Sequence, residues 1–464
     1  MLGIVRRIAG LCVIGAVGSA VRPLLRQSVV CGALLAASGC STQAPVKPLP
    51  ADPAFAAGVP VGHTRYSNTS LSELFTDLVF DTEWGETIPR LLRLDAPVSV
   101  HLTGPSSADY AQFVDGLLSQ IAREAGVEIS RGAPPHNLVV RFVPGREWAP
   151  LSGNQCIIVF GTPTWASFLQ DRQRYSDWQA VAPIELASRT VFIPDTNEPH
   201  EIRECLIEEI AQALGPTNDI YGLGPSIFND DDAHVWPTRL DYLMLRVLYD
   251  PRMRSGIGRA DARARALEIL NRINPKGHRA PSLPPHRQRE FLRWRKQLHD
   301  LYDLISKGRA RTPSARAIVT AILREARTKA PFTAYHCEAL SVAATLETDD
   351  KSPAALGAVD QAERVCETVH GPSDIRAAGL QLSRGIALLG QRRDRDALQA
   401  IEGLDRTFLA YGQDAMLAIA YAARWTALYN LGDPEAERAK ELALAWTIYA
   451  FGEDHDAIQR WKTL

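Results

Sequence analysis

The sequence predicts an α+β domain followed by an all-α helical-repeat domain, both behind an export signal. Short β-rich runs alternate with helical stretches as far as about residue 275, and no strand-like run follows residue 313. The chain has 464 residues, of which 46% are hydrophobic and 22% charged, so it is long enough for two or three domains. The formal net charge of -2 gives no electrostatic support for a nucleic-acid partner.

The first forty residues predict a targeting segment and not part of the fold. An apolar run from Ser28 to Gly39 follows Arg22 and Arg26 and is followed by Cys40. The run is shorter than the roughly 20 residues that cross a bilayer, so a transmembrane helix is the less favoured alternative, together with a buried core helix. The pattern resembles a bacterial lipoprotein signal.

That resemblance implies that residues 1–39 are removed and that Cys40 carries a lipid. Residues 40–67 are rich in Pro, Ala and Gly and predict a flexible tether between the anchor and the first domain. The expected location is therefore the bacterial cell envelope, with the protein anchored to a membrane on the periplasmic side.

Export would place the chain in an oxidising compartment, where cysteines can form disulfides. Beyond Cys40, we predict the pairs Cys156–Cys205 and Cys337–Cys366, because each pair stays within one predicted domain. Four cysteines allow three pairings, and small buried unpaired cysteines remain an alternative.

Residues 68–275 form the predicted α+β domain, in which short strands alternate with two long helices. The β-rich runs are 98–102, 127–129, 137–143, 156–161 and 190–193, and the long helices are 108–125 and 199–214. Gly215-Pro216 predicts the end of the second helix, because glycine suits a left-handed cap and proline cannot continue the turn. Further helices are expected at 236–249 and 261–271. Residues 276–312 are basic and proline-rich, which predicts a solvated linker with one helix.

Residues 313–464 predict a helical-repeat domain. Two pairs of segments recur forty positions apart: Ser383–Leu388 with Ala423–Leu428, and Leu409–Asp414 with Tyr449–Asp454. Each helix pair is closed by a glycine, and the pattern resembles a tetratricopeptide-type array with a longer period than the usual 34 residues. A plain helical bundle is the alternative.

The stretch from Glu204 to Asp232, ECLIEEIAQALGPTNDIYGLGPSIFNDDD, resembles the active-site helix of the metzincin zinc peptidases. Their motif, His-Glu-x-x-His-x-x-Gly-x-x-His, places two imidazoles at positions i and i+4, so that both reach one metal ion. The intervening Glu acts as general base on the zinc-bound water.

The resemblance places Glu209 on the catalytic Glu and Gly215 on the bend, with Ser226 to Asn229 where a Met-containing turn would lie. The three ligand positions carry Glu208, Gln212 and Asn218, and none is a histidine. Gln and Asn carbonyls suit Ca²⁺ or no metal better than Zn²⁺, so no cofactor is expected. Asp219, Asp230 to Asp232 and His234 could build a calcium site with Glu208, or they could simply cap the loop.

The chain also looks like an uncharacterised bacterial family of exported proteins, the domain of unknown function 2927. The resemblance rests on the helix above, on PTND and SIFNDDDAH after it, and on LDYLMLRVLYDPRMRSGI from Leu240. It spans about Leu71 to Asn274 and implies no catalytic residue.

From these observations we predict a non-catalytic binding or scaffold lipoprotein with a protein or peptide partner. The alternative is a metal-dependent hydrolase with an unconventional site. There Glu209 would be the general base, and Glu208, Gln212 and Asn218 or Asp219 would surround a metal ion or an ordered water.

Overall fold

The structure, a computed structural model, describes most of two compact units. It describes residues 66–282 except 83–84, 150, 152–155, 177–186 and 230–232. It also describes 312–453 except 331–332 and 350–351, and positions 294, 296–298, 300, 301, 304, 455 and 458. One unit runs from Ala54 to Asp303 and the other includes Leu304 to Leu464. We call their described parts the sheet domain and the helical domain.

Several sequence predictions fall outside the described residues. These are the signal peptide, the lipidation site Cys40, nearly all of the tether and most of the linker. No helix in the described part of the chain is both long and apolar enough to cross a membrane.

The sheet domain is built on one five-stranded mixed sheet with the order β2-β1-β3-β5-β4. The strands are β1 (Val98–Thr103), β2 (Ile129–Arg131), β3 (Leu138–Val143), β4 (Ile157–Phe160) and β5 (Arg189–Pro194). All neighbouring strands are parallel except β4, which runs antiparallel to β5 at one edge. The predicted α+β class is therefore confirmed only at the level of an α/β region with a mixed sheet.

Helices cover one face of this sheet. They are α1 (Asn68–Phe80), α2 (Ala111–Ala125), α6 (Pro199–Ala213), α7 (Arg239–Leu248) and α8 (Arg259–Ile273). Three short helices lie between β3 and β5 in the chain: α3 (Gly145–Trp148), α4 (Trp165–Gln170) and α5 (Arg172–Ser176). Because side chains alternate along a strand, Val98 and Val100 of β1 enter the core beneath the helices, while Ser99 and His101 face the other side.

A second apolar cluster lies on the other face, at the β4 edge. Trp148 stacks on Trp165 with ring centroids 4.8 Å apart, and both pack with Val143, Val159 and Phe192. The rest of that face, towards β1 and β2, carries polar side chains and is more exposed.

The described part of the helical domain contains no strand, as predicted. Its helices are α9 (Pro313–Lys329), α10 (Ala334–Asp349), α11 (Ala355–His370), α12 (Ile375–Gly390), α13 (Asp394–Ala400), α14 (Leu404–Ala410), α15 (Asp414–Leu431) and α16 (Ala436–Phe451). Helices α10, α12 and α15 begin at residues 334, 375 and 414, which matches the forty-residue offset of the sequence repeat. The glycine that closes each pair, Gly371, Gly412 or Gly452, has a positive φ, which accounts for glycine at that position.

Both predicted cysteine pairs lie at disulfide distance. Cys156, directly before β4, is bonded to Cys205 of α6, and the two are 49 positions apart. Cys337 of α10 is bonded to Cys366 of α11 across 29 positions. Each bond therefore lies within one domain.

Candidate functional site

The predicted site lies on α6, and the ends of this helix fix its position. At the start, Glu198 and Glu201 form a reciprocal capping box around Pro199, so the first free N–H groups of the helix are satisfied. At the other end, the Tyr249 hydroxyl donates to the Leu214 carbonyl at 3.1 Å. The helix boundaries agree with those predicted from the sequence to within one residue.

Gly215 makes the bend that returns the chain towards α6. Its φ is +142°, and a Cβ built there would lie 2.9 Å from the Leu92 oxygen and 2.8 Å from a Leu248 methyl carbon. Only glycine avoids both contacts in this conformation. The next residues are then fixed against α1, because the Thr217 and Asn218 N–H groups both donate to the Leu78 carbonyl, at 2.9 and 3.2 Å.

Three of the predicted site residues converge because the bend returns the chain to α6. The Gln212 Nε2 donates to Glu208 Oε1 at 3.2 Å and to both Asp219 carboxylate oxygens at 2.9 Å. Gln212 and Asp219 are each 7% exposed, and Glu208 is half-buried. An amide N–H donor therefore lies between two carboxylates, where a bound metal would need acceptor atoms on all sides.

The fourth candidate, Asn218, is directed elsewhere. Its side chain is fully buried and donates to the backbone carbonyl of Asp77 in α1 at 2.8 Å. The amide therefore fixes the loop to α1 by a bond to a residue 141 positions earlier.

Glu209, the predicted general base, lies beside the convergent cluster. It is half-buried, and it follows Glu208 by about 100° around the helix, so the two carboxylates diverge. Cys205, four positions earlier and near the same side of the helix, carries the disulfide to Cys156. The disulfide thus fixes this part of α6 to the start of β4.

A second group of potential ligands lies at the start of α6. Ligand atoms of Glu198, His200 and Glu201 lie within 4.8 Å of one another, and His200 is 2% exposed. The Glu198-x-His200-Glu201 spacing was visible in the sequence, but we did not predict this group. The Glu198 carboxylate accepts the Glu201 N–H, and the Glu201 carboxylate accepts the Glu198 N–H at 3.2 Å. The partial positive charge of a helix start also favours anions over cations. Capping accounts for these residues without a metal.

The loop after the bend is organised by Asp241 of α7. This fully buried carboxylate accepts from the Ser226 hydroxyl (2.5 Å) and from the N–H groups of Ile227 (3.1 Å) and Thr238 (2.6 Å). Burial raises the pKa of Asp241 to about 6. The predicted counterpart of the Met-containing turn is therefore a buried, hydrogen-bonded loop.

Two further predictions concern this loop. His234 is buried, whereas the run from Asp230 to Asp232, the other proposed calcium ligands, lies outside the described residues.

In the part of the chain that the structure describes, β4 is an edge strand of the sheet. Among the described residues, β4 pairs only with β5, with Val159 opposite Thr190. The Gly161 N–H donates to the Ser188 carbonyl at 3.0 Å, so these two residues form a hydrogen-bonded pair. Such pairs alternate along an antiparallel ladder, so Val159 and Ile157 bond to β5 and the residues between them do not. The N–H and C=O groups of Ile158 and Phe160 therefore point away from β5.

Comparison with known proteins relates the sheet domain to a family. Residues 68–267 match the model of a family described as "Protein of unknown function (DUF2927)". Neither the curated proteins nor the solved structures compared with the chain contain a match.

Proposed function

We propose that this protein, whose residues 68–267 belong to the family of unknown function DUF2927, is a membrane-anchored envelope lipoprotein that binds a partner without catalysis. The observation that carries the proposal is the hydrogen bonding of Gln212, which donates to both Glu208 and Asp219. The domain would then be a zincin-like pseudoenzyme in which an amide replaces the metal.

The donor chemistry of the site argues against zinc hydrolysis. Zinc lowers the pKa of a bound water from 15.7 to about 7, and a general base such as Glu209 depends on that effect. Of the three positions that would hold zinc by resemblance, Gln212 and Asn218 both use their amides as hydrogen-bond donors. Only Glu208 offers a strong acceptor there.

The edge of β4, which has no second strand partner among the described residues, supports a peptide or protein partner. Unpaired strand edges bind extended segments by adding a strand, with affinity from main-chain hydrogen bonds. This edge lies next to α6 because Cys156 immediately precedes Ile157. The stacked helix pairs of the helical domain, which we interpret as tetratricopeptide-like, would offer a second binding surface.

The first experiment measures the metal content of the purified full chain by elemental mass spectrometry, together with hydrolysis of a mixed peptide library. We expect no zinc that depends on Glu208 and no metal-dependent hydrolysis. Stoichiometric zinc that is lost in Glu208→Ala, with hydrolysis that Glu209→Gln abolishes, would establish the alternative hydrolase and overturn the proposal.

A gain-of-ligand variant tests the zincin-like geometry separately. Glu208→His/Gln212→His would place two imidazoles at positions i and i+4 around Glu209, with Asp219 as a third ligand. We expect this variant to bind one zinc ion, and the matched Glu208→Ala/Gln212→Ala variant to bind none. If the double histidine variant folds but binds no zinc, the zincin-like interpretation of α6 is wrong, whatever the protein binds.

A third experiment tests the edge of β4. A photo-crosslinking amino acid at Phe160 should capture the partner in cells, whereas the same probe at exposed Ser119 of α2 should not. Ile158→Pro removes an outward N–H without removing a bond to β5, so the fold should persist while crosslinking is lost. Ile158→Val is the matched control and should crosslink normally. Equal crosslinking in both Ile158 variants would exclude strand addition.

A further inference from the structure

Helix α8 and the segments on either side of it carry a basic surface that the proposed function does not use. Residues 250–279 contain eight Lys or Arg residues against three Asp or Glu residues. Two of the eight, Arg259 and Arg263, form ion pairs with carboxylates of α1. The other six define the basic surface: Arg252, Arg254, Arg265, Arg272, Lys276 and Arg279. All six are exposed except Arg265, which is half-buried.

A buried carboxylate holds three of these cations together. The Arg252 Nε donates to Asp250 Oδ1 at 3.0 Å, and Arg272 forms an ion pair with the other oxygen of Asp250. The Asp250 side chain is 6% exposed, whereas those of Arg252 and Arg272 are 43% and 61% exposed. Arg265 lies two helical turns before Arg272, on the same side of α8, and donates to the Arg252 carbonyl at 2.5 Å. The acid is therefore covered, while the guanidinium groups of Arg252 and Arg272 face solvent.

The other two acids of this stretch leave positive charge in excess. Glu268 lies 3.6 Å from Arg252, and because both side chains are exposed this pair is weak. Asp261 lies in the first turn of α8, where the partial positive charge of the helix start favours it. In the part of the chain that the structure describes, four of the six cations form no ion pair: Arg254, Arg265, Lys276 and Arg279.

The dipole of α8 accounts for only one of the six cations. Lys and Arg in the last turn of a helix are stabilised by its dipole, and Arg272 lies in the last turn of α8. The effect falls off within that turn. Lys276 and Arg279 lie in the short helix that follows (Pro275–Arg279), and Arg254 lies before α8. The dipole of α8 therefore does not account for these three positions.

The chain enters the sheet domain beside the basic surface. The Ser67 N–H donates to the Pro281 carbonyl at 2.7 Å. The Asn68 side chain donates to the Asn274 carbonyl at 3.1 Å and accepts from the Asn274 side chain at 2.9 Å. These bonds fix the start of α1 to both ends of the segment 275–279, which carries two of the cations.

We infer that the basic surface binds the anionic headgroups of the membrane that holds the proposed lipid anchor, so that the sheet domain docks on that membrane. This inference rests on the proposed function, because the predicted tether of residues 40–67 would connect Cys40 to this corner of the domain. A tether makes docking intramolecular, so a weak electrostatic contact is sufficient. Each Lys or Arg near an anionic bilayer strengthens binding about fivefold, the equivalent of roughly 1 kcal/mol.

Vesicle binding tests this inference with the full chain carrying Cys40→Ser, the parent protein, which has no lipid at that position. Binding is measured to phosphatidylcholine vesicles with and without phosphatidylglycerol. Adding Arg254→Glu/Lys276→Glu/Arg279→Glu should weaken binding to the anionic vesicles by at least about tenfold. The matched control, Arg324→Glu/Arg395→Glu/Arg406→Glu, makes the same change in net charge at exposed positions of the helical domain and should bind like the parent.

Three results would overturn the inference. They are equal losses in the two triple variants, equal affinity of the parent for neutral and anionic vesicles, and binding to soluble polyphosphate without binding to vesicles. Lysine acetylation of the parent gives a readout that does not depend on the folding of a variant. Anionic vesicles should protect Lys276 but not the exposed Lys329 of α9, and equal acetylation of Lys276 with and without vesicles would also overturn the inference.

These measurements are independent of the proposed function. They involve neither a lipid on Cys40, nor metal content, nor the edge of β4, so their failure would leave the proposed function intact. Conversely, an unmodified Cys40 in protein isolated from cells would contradict the proposed lipid anchor and would leave the vesicle results unchanged.

Discussion

Replacing Gln212 by methionine tests the central feature of the candidate site. Methionine has a similar length and helix propensity but donates no hydrogen bond. The change leaves Glu208 and the nearly buried Asp219 without their shared donor. Hydrogen bonds to charged groups contribute about 1.5–3 kcal/mol each, so we expect the free energy of unfolding to fall by about 2–4 kcal/mol at pH 7.5. In a domain of this size that corresponds to a decrease in Tm of at least about 4 °C.

The measurement combines thermal unfolding of the full chain, followed by circular dichroism, with hydrogen exchange of peptides that cover α6. Exchange locates the effect, because a chain with two compact units need not unfold in one transition. Gln112→Met, at an exposed position of α2, is the control. A Gln212→Met shift no larger than that of the control would refute the reasoning.

Three further predictions concern the framework of the sheet domain. Gly215→Ala should lower the free energy of unfolding by more than the roughly 1–3 kcal/mol of backbone strain, because the new methyl group would also collide with Leu92 and Leu248. Gly126→Ala has open space around the new methyl group and should show the strain alone. Equal denaturation midpoints of the two variants would contradict this. Cys156→Ser/Cys205→Ser should cost about 4 kcal/mol, the loop-closure value for 49 residues, and should abolish the effect of a reductant on the local exchange of α6. Burial raises the pKa of Asp241 from its ordinary range to about 6, so the folded state binds more protons than the unfolded state between about pH 4 and 6. This residue therefore makes stability fall as pH rises through that window. Replacement of Asp241 by asparagine should flatten the slope of Tm against pH, and an unchanged slope would exclude that role.

Local signals in the sequence predicted much of the fold. The end of α6 was predictable because Gly215-Pro216 stops a helix, and the repeat offset of forty residues matches the spacing between the starts of α10, α12 and α15. The predicted start of α7 at Trp236 was three residues too early. Thr238 and Asp241 form a capping box, and that pattern was legible in the sequence.

Other features depend on long-range contacts that local patterns do not reveal. The second strand was predicted at 127–129 but lies at Ile129–Arg131, because its register is fixed by pairing with β1. Helices α3 to α5 are too short to show a hydrophobic period. At the site, the spacing of Glu208 and Gln212 predicted their proximity, but the turning of Asn218 towards Asp77 could not be anticipated across 141 positions.

The framework of the site is compatible with either chemistry, so its donors and acceptors decide between them. The capping box, the Gly215 bend and the disulfide would position a metal centre as well as they position the present hydrogen bonds. What differs is the charge between the carboxylates. A divalent cation neutralises two carboxylates and activates water, whereas the neutral amide of Gln212 satisfies their oxygens and supplies no Lewis acid. The side chains at positions 208, 212 and 218, and not the backbone framework, therefore carry the proposal that the domain is not catalytic.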